Sequence, residues 1–120
     1  MTLVPIGALS SRANDSGPGT EFMTAQGHPR TIFRRAIERR NLLTAEATAR
    51  EMGAVTLGEA LDLVCLVAEV EPARLDGYAR RWLARLAQER PLRLAELDLA
   101  VTGLRALPSA RAANALRALL

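Results

Sequence analysis

The sequence predicts an all-α fold of five or six short antiparallel helices, arranged either as an α-solenoid-like stack of helical hairpins or as a compact helical bundle. Three observations carry this. Ala and Leu, both strong helix formers, fill 22 and 20 of the 120 positions. Apolar residues recur at helical spacing in segments cut by Gly, Pro and capping residues. No alternating strand pattern and no hairpin dipeptide intervenes.

The helices follow in order. A first is expected over 30–40, with Pro29 near its first turn and Ile32, Phe33, Ala36 and Ile37 on one face. Asn41 is expected to supply the turn. A second runs over 42–52 through Leu42, Ala45, Ala49 and Met52, and Gly53 is its C-terminal stop. Thr56-Leu57-Gly58-Glu59 reads as a capping box that starts a third helix. That helix carries Leu57, Ala60, Leu61, Val64, Val67 and Ala68, widened by Leu63, Leu66 and Val70, and so belongs at the centre. Pro72 is expected to open a fourth, with Leu75, Tyr78, Ala79, Trp82, Leu83, Leu86 and Ala87 as its apolar face and Pro91 as its end. A fifth covers 93–106 through Leu94, Leu97, Val101 and Leu104, with Gly103 as a weak point. Pro108 and Ser109 open a sixth that reaches Leu119 and Leu120.

Ahead of these helices, residues 1–29 read as a disordered leader, and 30–120 as a single all-helical domain. Gly19-Thr20-Glu21-Phe22 is what two adjacent cloning sites would encode, and Met23 then reads as a native start. Residues 1–22 are therefore expected to be vector-derived, the rival reading being a natural flexible arm. The apolar stretch Leu3–Leu9 lacks a preceding basic residue and contains Pro5, unlike a secretory signal. The longest unbroken apolar run, Leu63–Ala68, is far short of a membrane span, so a soluble, cytoplasmic protein is expected.

A shift of 36 residues aligns Leu61-Asp62-Leu63 with Leu97-Asp98-Leu99, Pro72 with Pro108, Ala79 with Ala115, Arg81 with Arg117 and Leu83 with Leu119. A unit of that size is typical of helical repeats. The stretch from Ala36 to Ala47, with small residues at Ala36 and Ala45 and a further one at Ala49, resembles helical-hairpin repeats of the tetratricopeptide type. The Trp, Leu-Gly and Tyr signature of that family is missing. Residues 30–90 are also similar to short, uncharacterised helical proteins of GC-rich actinobacteria, a resemblance that implies a fold and no activity.

Catalytic chemistry is thinly represented, and no enzyme activity, cofactor or metal is expected. The single His28 sits in the Gly/Pro-rich lead-in and is expected to be exposed and inert. The single Cys65 lies in the most apolar helix, where burial makes a thiol a small hydrophobe with a raised pKa. Glu69 with Glu71, or Glu59 with Asp62, would need a cleft to act as acid and base. Gly17-Pro18-Gly19 lacks the strand and helix that flank a phosphate-binding loop.

Charge is more telling. All 16 basic residues are Arg and none is Lys; GC-rich codon usage explains most of this bias, the functional alternative being selection for bidentate phosphate or carboxylate contacts. Residues 28–50 carry net +4, 51–72 net −5 and 73–93 net +4. Much of this charge is expected to be answered inside the domain. The remaining candidates for partner or phosphate contacts are Arg30, Arg34, Arg35, Arg39 and Arg40 on the first helix and Arg74, Arg81 and Arg85 on the fourth, with Arg80 nearby. Tyr78 and Trp82 are assigned to the core. The expected role is a non-catalytic protein–protein interaction module. Homodimerisation is an option through the apolar tail at Leu116, Leu119 and Leu120. The alternative is an Arg-rich nucleic-acid-binding or regulatory protein; no membrane partner is expected.

Overall fold

A computed structural model describes residues 28–120. The leader expectations for residues before His28 lie outside the described residues. Six α-helices and no strand form among them: α1 (Pro29–Glu38), α2 (Leu42–Met52), α3 (Leu57–Val70), α4 (Leu75–Glu89), α5 (Leu94–Ala106) and α6 (Ala110–Arg117). Two units are distinguished, one ending at Arg35 and one spanning Ala36–Leu120, with α1 running across the boundary.

At the start of α1, His28 is exposed and acts as a cap. Its Nδ1 accepts from the Arg30 amide at 3.2 Å, and its carbonyl accepts from the amides of Thr31 and Ile32. At the other end the chain makes a left-handed turn. The Asn41 amide donates to the Ala36 carbonyl at 2.9 Å and the Arg40 amide to the Ile37 carbonyl at 3.1 Å, the hydrogen-bond pattern of a Schellman motif. The left-handed residue is Arg40, at φ 57°, so the turn is made one residue before Asn41, the residue expected to supply it. Asn41 instead caps α2, its side chain accepting from the Thr44 amide at 3.1 Å. Gly53, at φ 74°, ends α2 where a side chain would be strained.

The capping box at α3 forms as its spacing predicts: Thr56 accepts from the Glu59 amide and Glu59 accepts from the Thr56 amide. Pro72 opens a 3-10 turn, Pro72–Arg74, rather than α4 itself, and α4 follows at Leu75. Ser109 caps α6 through the Ala112 amide.

Within Ala36–Leu120 the packing is a closed ring. α3 lies against α4, α4 against α5, α5 against α6 and α6 back against α3, and the diagonal pairs do not adjoin. That is the neighbour pattern of a four-helix bundle. In a solenoid the first helices of successive hairpins, here α3 and α5, would stack on each other. The compact bundle is thus the arrangement formed, with α2 laid against α3 on the outside of the ring. The 36-residue correspondence falls on unlike environments: Leu61 and Leu63 are buried, whereas Leu97 is half-buried and Leu99 is 45% exposed.

Leu61, Leu86, Ala100 and Leu116 are wholly buried at the centre, with Val64, Ala68, Leu104 and Trp82 around them. Trp82 satisfies its indole N–H by donating to the Leu57 carbonyl at 3.0 Å. Gly103 is a contact point rather than a weak one, since a Cβ there would lie 3.0 Å from Leu116 Cγ and Cδ2. The core face of α5 is Ala100, Gly103 and Leu104, continued by Leu107. Leu94, read from the sequence as part of that face, is 83% exposed.

Candidate functional site

The left-handed turn after α1 and the end of α3 together shape an open recess of about 480 Å3 lined by Arg39, Arg40, Leu42, Leu43, Val70 and Arg74, among others. Two of the four large apolar side chains left in solvent open into it: Leu43, 77% exposed, and Val70, 44% exposed. The buried stripe of α2 is Leu42, Ala45 and Thr48, and Leu43, about 100° round the helix from Leu42, falls outside it. Val70 is the last residue of α3.

One wall is fixed by a polar cluster. Glu46, on α2, has a side chain only 12% exposed. Arg74 donates to both of its carboxylate oxygens, one at 3.4 Å, and the Tyr78 hydroxyl donates to the same carboxylate. Arg74 also donates to Glu71 at 2.8 Å. Burial would raise the Glu46 pKa, but the hydrogen bonds from Arg74 and Tyr78 outweigh it and hold the carboxyl below the usual range. Burial, followed by the bond to Glu46, pushes the Tyr78 hydroxyl up. Bonds to Glu46 and Glu71 raise Arg74 in turn. The Tyr78 ring lies under two guanidinium groups, Arg81 at 4.9 Å and Arg74 at 5.4 Å from its centroid. Tyr78 packs half-buried against the core and joins it to the polar cluster at the bundle's edge; Trp82 is the fully buried residue of the pair.

The eight arginines singled out by the sequence have different fates. Arg39, Arg40 and Arg74 meet at the recess. Arg40 pairs with Glu69 and Arg74 with Glu46 and Glu71. Arg81 covers Tyr78 and Arg85 pairs with Glu89 at 2.6 Å. Arg80 pairs with Asp76 at 2.8 Å. Arg30, Arg34 and Arg35 belong to the unit ending at Arg35, where Arg34 and Arg35 are exposed. Among the described residues Arg34, Arg35 and Arg39 have no ion pair. Within Ala36–Leu120, twelve Arg face eleven Asp and Glu, so that unit is close to neutral.

The apolar tail is spent inside the chain. Leu116 is wholly buried, and Leu119 and Leu120 pack half-buried against the same core. Arg90 donates to the Leu120 carbonyl at 2.6 Å and holds the last turn down. None of the three leucines therefore presents the open patch that a role in self-association would need.

Two other concavities exist. A groove of about 410 Å3 between α4 and α5 has a floor of Leu75, Ala79, Leu83, Val101 and Leu104. A cleft of about 420 Å3 between α3 and α6 includes Cys65, flanked by the Arg40–Glu69 and Arg117–Asp62 pairs. Burial pushes the Cys65 thiol up, which suppresses its thiolate. Among the described residues no group of three His, Cys, Asp or Glu sits close enough to hold a metal ion, and no helix is long and apolar enough to cross a membrane.

Sequence reasoning did not single out Leu43 or Glu46, and it placed Val70 and Leu94 on apolar core faces although both are exposed. For Leu43 the signal was present, because it falls off the stripe of Leu42, Ala45 and Ala49. No family model, curated protein or solved structure matches the chain. The tetratricopeptide-like and actinobacterial resemblances consequently carry no functional inference, and function is argued from this chain's own residues.

Proposed function

We propose that the chain is a non-catalytic helical module that binds another protein through the recess between the α1–α2 turn and the end of α3. The observation that carries this is the joint exposure of Leu43 and Val70 beside Arg39. Isolated exposed apolar residues are ordinary, but two that open into one concavity with a polar rim form an anchor site. The fitting ligand is a segment with one apolar anchor side chain and a nearby carboxylate. Leu43 and Val70 take the anchor, and Arg39, exposed and without an ion pair among the described residues, takes the carboxylate. Arg74 is less suited, because its charge is already answered by Glu46 and Glu71.

The test is affinity capture from the source cells with wild type and with Leu43→Asp and Val70→Asp. Both positions are exposed, so the fold is retained. A defined partner that is held by wild type and by Leu94→Asp but lost from both recess variants supports the proposal. A partner retained equally by all four removes it.

A second reading keeps one specific observation: Arg34 and Arg35 are exposed on α1 and have no ion pair among the described residues. If they contact phosphates, duplex affinity falls steeply with salt, and Arg34→Ala/Arg35→Ala reduces that slope. Absence of duplex binding at low salt ends this reading.

A further inference from the structure

We propose that two copies of the chain associate about a two-fold axis, α5 against α5, with Leu94 of each copy seated in the α4–α5 groove of the other. This surface is separate from the Leu43–Val70 recess and does not depend on it.

Four observations support it. Leu94 is the most exposed large apolar side chain among the described residues, at 83%. The α4–α5 groove is a largely apolar concavity edged by the Asp76–Arg80 pair and by Arg105. Leu94 and the groove lie on the same side of α5: Leu94, Asp98, Val101 and Arg105 are spaced i, i+4, i+7 and i+11, and the last two line the groove. Finally, Asp98 and Arg105, opposite in sign, are both exposed and have no ion pair among the described residues.

The register follows from helix geometry. Leu94 stands about 10 Å along the axis from Val101, the nearest α5 residue of the groove, at about 1.5 Å per residue, so a copy cannot fill its own groove with it. When two α5 helices run antiparallel with Leu94 opposite Arg105 of the second copy, Asp98 comes opposite Val101, one turn from that same Arg105. Each copy then offers one knob, one groove, one carboxylate and one guanidinium, all answered by the other. That is the self-complementarity an isologous interface requires, and it closes at two copies. A partner of different sequence would leave no reason for knob and groove to occur together on one helix with matched, unanswered charges.

The test is sedimentation equilibrium of the full chain from micromolar to near-millimolar concentration. A shift from 13.0 kDa towards twice that mass is expected. Leu94→Asp abolishes the shift. Asp98→Arg and Arg105→Asp, each alone, raise the Kd by roughly tenfold, and combining them in one chain restores it, because the reversed pair is again complementary. All three residues are exposed, so circular dichroism is expected to show an unchanged fold. A monomer throughout the range overturns the proposal. So does a dimer that survives Leu94→Asp, or a double reversal no better than the singles.

Discussion

Replacing Gly103 by Ala sets two effects of known size against each other. Gly in a helix interior is about 1 kcal/mol less favourable than Ala, so on propensity alone the change stabilises. Gly103 lies inside α5, however, and the added Cβ would sit 3.0 Å from both Cγ and Cδ2 of Leu116 and 3.6 Å from Cδ1. Leu116 is wholly buried, on a helix packed against both α3 and α5, so any shift it makes presses on the core. Overpacking of this kind costs about 1–3 kcal/mol, so the net expectation is a loss of about 0–2 kcal/mol. Gly58 supplies the control. Its nearest neighbours to an added Cβ are 3.9 Å away, so Gly58→Ala keeps the propensity gain, about 0.5–1 kcal/mol at most. The assay is urea unfolding followed by circular dichroism, with the slope required to stay constant. Adding Leu116→Ala to Gly103→Ala relieves the clash, so the two losses are less than additive. If Gly103→Ala is stabilised like Gly58→Ala, α5 and α6 are not packed as closely as described, and the reasoning fails.

Three further outcomes are expected. Trp82→Ala loses about 3–5 kcal/mol, whereas Trp82→Phe, which keeps the ring and removes the bond to Leu57, loses about 0.5–2 kcal/mol in urea unfolding; a loss under about 1 kcal/mol for the alanine variant would place the ring at the surface. Glu46 titrates below its ordinary value when folded, so its contribution is present above the usual carboxylate range and is lost as the pH falls through the folded pKa; the acid limb of the stability–pH profile is shallower in Glu46→Gln. Arg40→Gly removes left-handed strain of about 1 kcal/mol and gives up an exposed ion pair to Glu69 of about 0–1 kcal/mol, so thermal unfolding is expected at the same or a slightly higher temperature.

Local signals were the most legible part of the sequence. The Thr56–Glu59 capping box, the Gly53 stop and the 42–52 helix are set by backbone hydrogen bonding within a few residues, and all appear as the residues suggest. Facing was less legible. In α5 the spacing of Leu94, Leu97, Val101 and Leu104 is helical, yet the core takes Ala100, Gly103 and Leu104. Small residues win there because α6 comes close, and closeness between helices is a tertiary property that a stripe of leucines does not report. The solenoid alternative failed for the same reason, since a 36-residue correspondence says nothing about whether α3 meets α5 or α6. At the recess the sequence supplied Arg39, Arg40 and Arg74 but not their setting. Glu46 meets Arg74 across 28 positions, and only the folded chain brings α2 to the 3-10 turn. The expectation that charge is answered internally applies to Arg40, Arg74, Arg80 and Arg85; of the arginines the sequence singled out, it leaves Arg34, Arg35 and Arg39 without an ion pair among the described residues.

The most direct measurement is photo-crosslinking from the recess. A photoreactive phenylalanine analogue is placed at position 43 and, as a control, at exposed position 88, and the chain is irradiated in the source cells. The account predicts a single adduct of defined mass from position 43, absent from 88 and lost when Arg39→Glu is added. No adduct at 43, or the same adducts from both positions, would contradict it.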